Sequence, residues 1–147
     1  RKVTMRQGAA FRALLGEIQT TIAAASEVPI LSDFVDALRA AVDTVTQTTL
    51  ALSGAALEGR IRLFLANANE YLEMLGHTVI AWMWLEQARV AARALDNQPT
   101  TEDIAFYEGK LHACRFFYRW ELPKIQRQAT LLASLDDTTL TMRAEWF

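Results

Sequence analysis

A chain of 147 residues with 52% hydrophobic content is long enough to bury a core of its own without disulfides or a structural metal. Its 15 Lys and Arg against 17 Asp and Glu leave a net charge of -2, with no basic block to hold nucleic acid or an anionic membrane, so neither is an expected partner. No apolar run reaches the roughly 18 residues of a membrane span and no signal peptide is visible. The single cysteine, Cys114, lies in a helical apolar stripe and reads as a small buried hydrophobe; without an internal disulfide partner it fits a reducing, cytoplasmic setting.

Taken in order, the chain opens on Arg1-Lys2-Val3 rather than on Met, as a piece of a longer polypeptide would. The first helix is predicted from about Gln7 to Ala25, with a stripe of Phe11, Leu14, Leu15, Ile18 and Ile22. Ser26-Glu27-Val28-Pro29 ends it, because proline cannot continue a helix. A second helix opens at Ser32, a plausible N-cap with Asp33 in its first turn. Its stripe is Phe34, Val35, Leu38, Val42, Val45, Thr49 and Leu52, and its threonine-rich end depends on tertiary packing. Ser53-Gly54 is the next expected break.

A third helix of close to forty residues then runs to Leu95, with bends expected at Gly59 or Gly76. Leu57, Ile61, Phe64, Ala68, Leu72 and Leu75 form its predicted core face. From Val79 to Leu85 no polar face is left, and a helix apolar all round is covered on all sides. Asp96 to Thr100 is a loop, Thr101 a cap, and the fourth helix carries Ile104, Tyr107, Leu111, Cys114, Tyr118, Ile125 and Leu132, kinked ahead of Pro123. The tail, residues 136–147, reads as a helical turn and an extended end. Nothing reads as a strand or a repeat. The expected fold is all-α: one domain over residues 1–147, an antiparallel up-down four-helix bundle with a long helix 3–helix 4 hairpin.

Pairing about the loop near Asn97 to Pro99 gives facing residues numbers summing to about 196. That register sets Arg93 by Asp103, Glu86 by Lys110, Glu73 by Lys124 and Arg60 by Asp136, with Leu85 facing Leu111. A turn at Ser53-Gly54 sets sums near 110 between helices 2 and 3 and puts Leu31 level with Val79. The hairpin above that level then projects about 20 Å beyond helices 1 and 2. It carries Trp82, Met83, Trp84, Phe106, Tyr107, Phe116 and Phe117. So many wet rings exceed what a monomer leaves exposed as one patch, which predicts a docking surface for another domain or subunit.

Two Glu/His pairs, Glu73 with His77 and Glu108 with His112, invite comparison with a di-iron bundle. Such a site needs Glu-x-x-His at i and i+3 on two helices and an inward carboxylate from each of the others. Both pairs here are at i+4, so they read as helix-stabilising or solvated, and no metal ligand is assigned. His112, Arg115 and Arg119 continue from Glu108 as a polar stripe, solvated or facing an anionic ligand such as a nucleotide or coenzyme A phosphate. No phosphate loop, nucleophile elbow or clustered triad is present, so no catalytic or cofactor-binding residue is expected. Read alone, these residues also fit a self-contained helical interaction or scaffold protein.

Tyr71-Leu72-Glu73-Met74-Leu75-Gly76-His77, Ala81-Trp82-Met83-Trp84-Leu85, Phe106-Tyr107-Glu108-Gly109-Lys110-Leu111 and the Leu122-Pro123 kink together resemble the C-terminal helical extension of one acyl-CoA dehydrogenase branch. That branch includes 3-methylmercaptopropionyl-CoA dehydrogenase. Arg1-Lys2-Val3 followed by Gly8-Ala9-Ala10 resembles the junction with the dehydrogenase body. The resemblance implies a parent flavoprotein of fatty acid metabolism that oxidises an acyl-CoA thioester to its 2,3-enoyl form, with FAD and the catalytic glutamate in the upstream body. For this chain it implies an accessory domain, not an enzyme alone, that packs on the body of the same polypeptide or on a second subunit of a homo-oligomer.

Overall fold

The computed structural model describes residues 8–147, so the resembled junction at Arg1-Lys2-Val3 and the predicted helix start at Gln7 lie outside the described residues. The described residues are helical and include no strand. Helix α1 spans Ala9–Ser26 and is followed by a 3-10 turn, Pro29–Leu31. Helix α2, Ser32–Leu57, grows directly out of that turn: the Ser32 backbone N–H donates to the Pro29 carbonyl, and Ser32 makes no side-chain cap of the kind expected. Four threonines of α2, Thr44, Thr46, Thr48 and Thr49, return their hydroxyls to the carbonyl four residues back, and Thr49 also bonds the Tyr71 hydroxyl at 2.8 Å.

The expected break at Ser53-Gly54 does not occur; α2 runs through it to Leu57, and the chain turns at Gly59. There φ is +80°, the Gly59 N–H donates to Ala56 (3.1 Å) and the Arg60 N–H to Ala55 (2.9 Å), the paired bonds of a Schellman cap. The predicted third helix is therefore two: α3, Ile61–Ala66, and α4, Ala68–Asp96, separated at Asn67. Gly76 lies inside α4 without a break. Breaking the helix rotates its apolar face. Leu57, Ile61 and Leu72, expected in the core, are exposed, and the buried face of α4 is Met74, Thr78, Ala81, Leu85, Ala88 and Ala91.

Helix α5, Thr101–Phe116, is capped one residue earlier than expected, by Thr100 and Asp103 in a reciprocal capping box. A π-helical turn, Phe117–Glu121, precedes Pro123, with the Leu122 N–H reaching the Phe117 carbonyl at 2.9 Å. Pro123 has no N–H to offer Arg119, and the wider turn is how the helix adjusts. Helix α6 is Lys124–Ala133; α7, Thr138–Thr141, and a 3-10 turn, Ala144–Trp146, end the chain. The tail is tied to the α3–α4 break by Asn67 Nδ2 donating to the Asp136 carbonyl (2.9 Å) and by Thr139 donating to Ala66 (3.3 Å).

One core joins α1, α2, α4, α5 and α6 through Ile18, Ile22, Leu38, Val45, Leu85, Leu111, Cys114 and Ile125. Lys110 meets Gln87 in the upper part of the α4–α5 pairing, close to the expected sum of 196. Past the π turn, Gln128 meets Glu73, a later register that contains the additional residue of the wider turn. The four expected ion pairs do not form among the described residues. Arg60 takes Glu58, Glu86 takes Arg89, Lys124 takes Glu121, and Glu73 accepts from Gln128. Three of these replacements lie within three residues along the chain, where less side-chain freedom is lost than in bridging two helices.

Candidate functional site

Moving the α2 turn from Gly54 to Gly59 changes which residues lie level. Thr49 meets Tyr71, a sum near 120 rather than 110, so Leu31 reaches about ten residues higher on α4 than expected. Leu31, Ala88 and Ala91 are accordingly buried, and much of the hairpin that was to project is covered by the α1–α2 link. Small side chains on α4 allow that close approach. Directly below it, the Trp82 indole N–H donates to Thr21 Oγ1 (2.6 Å), Thr21 donates to Glu86 Oε1 (2.6 Å), and Arg89 donates to Glu86 Oε2 (2.9 Å). Burial pushes the Glu86 carboxyl up, but the Thr21 hydrogen bond and the Arg89 guanidinium outweigh it and hold the group below the usual carboxylate range.

This network divides the seven predicted docking residues. Trp82, Trp84, Tyr107 and Phe117 are half-buried against the core, while Met83, Phe106 and Phe116 are exposed. Ile80 and Trp120 join the exposed set unpredicted; Trp120 stacks on Phe116 with ring centroids 6.2 Å apart. Lys110 covers the faces of Trp84 and Phe106 at 5.8 and 5.5 Å. The all-round apolar segment is thus covered on all but the stripe of Ile80 and Met83.

His112, Arg115 and Arg119 are exposed, on one side of α5 and the π turn, as is Glu108. His77 is held instead between α4 and the π turn: Nδ1 lies 2.8 Å from the Glu73 carbonyl and Nε2 3.7 Å from Glu121. The two Glu/His pairs do not converge, and no group of three or more His, Cys, Asp and Glu among the described residues is placed to hold a metal ion. Cys114 is fully buried, and burial pushes its thiol up to about 12. Tyr118, raised by burial, donates its hydroxyl to the Ala81 carbonyl at 2.9 Å.

One concavity among the described residues was not foreseen. A groove of about 830 Å³ opens between the start of α1, the C-terminal half of α2 and α3, lined by Phe11, Leu15, Leu50, Leu57, Ile61 and Leu65 among others, with Gly8 at its edge. Leu57 is 90% exposed and Leu50 61%. One signal in the sequence points to it: Leu57-Glu58-Gly59-Arg60, with glycine in the position a helix C-terminus favours, which extends α2 past Gly54 and leaves these leucines beyond the core.

No helix among the described residues is long and apolar enough to cross a membrane. The chain is similar to the broad-specificity linear acyl-CoA dehydrogenase FadE5 of Mycobacterium tuberculosis, 27% identical over 97% of this chain. It spans 24% of that relative's length. The family model described as "Acetyl-CoA dehydrogenase C-terminal like" matches residues 14–143, nearly the whole helical core, and the chain belongs to that family.

Proposed function

We propose that this chain is the accessory C-terminal domain of an FAD-dependent acyl-CoA dehydrogenase, packing on the catalytic body or on a dimer mate and not catalytic alone. The observation that carries the reading is the family match over residues 14–143 of a chain spanning only a quarter of its dehydrogenase relative. Unfinished burial supports it: Met83, Phe106, Phe116 and Trp120 on one face, and Leu50 and Leu57 on another, are apolar side chains that a larger assembly would cover. The reading takes the helices as an up-down four-helix bundle whose third arm is α3 plus α4 and whose fourth is α5 plus α6. It also takes the parent as a cytoplasmic homo-oligomer of the 3-methylmercaptopropionyl-CoA dehydrogenase-like branch.

The residues here do not make a seat for FAD. The described residues include no sheet, and the groove of about 830 Å³ is lined mainly by apolar side chains, with Arg12 as its charged lining residue. Hydride transfer from an acyl-CoA is accordingly assigned to the body, and no step is assigned to this chain. Trp82, Met83, Trp84, Phe106, Tyr107, Phe116 and Phe117 are the proposed docking surface, with His112, Arg115 and Arg119 a stripe facing an anionic group of the partner or of the acyl-CoA.

Expression of the polypeptide with and without the sequence upstream of Arg1 tests the proposal. The long form is expected to show flavin absorbance and acyl-CoA-dependent dye reduction, and residues 1–147 neither. Flavin binding and turnover by residues 1–147 would overturn the accessory role. A reading frame with an initiator Met directly before Arg1 would favour the self-contained scaffold instead.

A further inference from the structure

We propose that the ring face of α4 and α5 docks on an acidic polypeptide surface, an apolar ridge edged by aspartates and glutamates on the dehydrogenase body; this rests on the accessory-domain reading. Lys110 meets Gln87, so the antiparallel pairing sets Ile80 about level with Phe116, and Trp120 stacks on Phe116 one turn further on. Ile80, Met83, Phe106, Phe116 and Trp120 are each at least 40% exposed. Cations share this surface: His112 lies one turn before Phe116, and Arg115 and Arg119 come from the same turns, neighbouring positions on a helix.

Those cations are short of carboxylates. Arg115 and Arg119 are exposed and make no ion pair or hydrogen bond among the described residues, and Lys110 donates to an amide oxygen. From residue 104 to residue 120, Lys110, Arg115 and Arg119 stand against one carboxylate, Glu108, in a chain whose net charge is -2. Glu102 and Asp103 sit at the capped start of α5, about 20 Å from Phe116 along the helix and beyond a Debye length. On the adjoining elements Glu86 is taken by Thr21 and Arg89, and Glu121 by Lys124 and His77. An acidic partner supplies the missing counter-charges while its apolar ridge covers the rings. A second copy brings the same excess of cations, so like charges meet across a two-fold contact. An anionic bilayer is held by clusters of roughly four to eight Lys and Arg, more than this face carries.

The test uses the full polypeptide and zero-length carbodiimide coupling, which joins a lysine amine to a carboxylate in contact with it. Lys110 is one handle, and Arg115→Lys with Arg119→Lys adds two more at unchanged charge. Coupling from these positions to Asp or Glu outside residues 1–147 is expected, read as cross-linked peptides by mass spectrometry. Arg115→Glu with Arg119→Glu is expected to reduce the Lys110 cross-link on the order of tenfold, two exposed pairs being lost. Arg62→Glu with Arg143→Glu, the same change of charge on α3 and in the tail, is expected to leave it unchanged. Coupling confined to residues 1–147, within one chain or between copies, would overturn the proposal, and so would charge reversal without effect. An absence of coupling would overturn it too, and retention on phosphatidylglycerol vesicles would then name a lipid surface as the occupant. A polypeptide that binds flavin and reduces dye but gives no cross-link keeps the accessory role and loses this assignment. One that cross-links outside residues 1–147 without flavin or turnover loses the dehydrogenase reading while the acidic contact stands.

Discussion

The two ends of the helical stack treat the same kind of side chain in opposite ways. At the end formed by the α1–α2 link and residues 78–92 of α4, Leu31, Leu85, Ala88 and Ala91 are sealed and a polar chain from Trp82 through Thr21 to Glu86 and Arg89 ties α1 to α4. At the opposite end, Leu50, Leu57, Ile61 and Leu65 line an open groove. The difference comes from the position of one turn. Moving the turn after α2 five residues on, from Gly54 to Gly59, lifts the start of α2 to cover the hairpin and carries its last leucines out of the core. Among the described residues, one end is closed and the other is open.

The largest effect that distinguishes the ends is expected from truncating the sealed one. Leu85 is fully buried in the common core, so Leu85→Ala should cost about 2 to 5 kcal/mol through lost transfer energy and the cavity left behind. Urea unfolding of the 147-residue chain measures it. A cost below about 1 kcal/mol would mean this end is not the tightly packed one.

Thr21→Val comes next. It leaves the Trp82 N–H without an acceptor and takes one donor from Glu86, an expected cost of about 1 to 3 kcal/mol at neutral pH. The pH dependence has a definite sign. The folded Glu86 carboxyl titrates below its unfolded value, so its contribution is complete above about pH 4.5 and is lost as the pH falls through the folded value. The difference between wild type and Thr21→Val should therefore shrink on acidification. A gap that is constant from pH 7 to pH 3 would show that the Thr21 bond to the carboxylate contributes nothing.

At the open end, Gly59→Ala tests the turn itself. Nothing lies within 4 Å of an added Cβ, so the cost is that of holding alanine at φ +80°, about 1 to 2 kcal/mol. Stability unchanged on thermal unfolding would mean the Schellman turn does not hold α2 at its observed length.

Much of this architecture was legible because strong local signals agree with the tertiary arrangement. Pro29 ends α1, the threonine and acid pair near residue 100 starts α5, and Pro123 marks the disturbed turn that became π-helical. The stripe of α1 ending in Ile18 and Ile22 is buried as its spacing requires. What misled was a choice between two glycines. Ser53-Gly54 has turn composition, but Gly59 provides the positive φ, and composition alone does not tell which glycine leaves the helical region. That five-residue displacement doubled into a ten-residue shift of register, overstated the projecting hairpin and hid the groove. Of the seven residues expected to dock, Met83, Phe106 and Phe116 are exposed, whereas Trp82 is half-buried with its indole N–H bonded to Thr21, a tertiary contact that composition does not reveal. The ion pairs were the least legible, since surface charges take any near partner.

The smallest expected effect is at Leu57. With 90% of its surface already in water, Leu57→Ala removes almost no buried area from the 147-residue chain, and alanine is at least as good a helix former at the end of α2. Stability should change by no more than about 0.5 kcal/mol, against several for Leu85→Ala. Urea midpoints measured side by side for the two variants make the contrast quantitative. A loss of 1 kcal/mol or more at Leu57 would mean that residues of this same chain cover the groove in solution, so that the open end is closed from within.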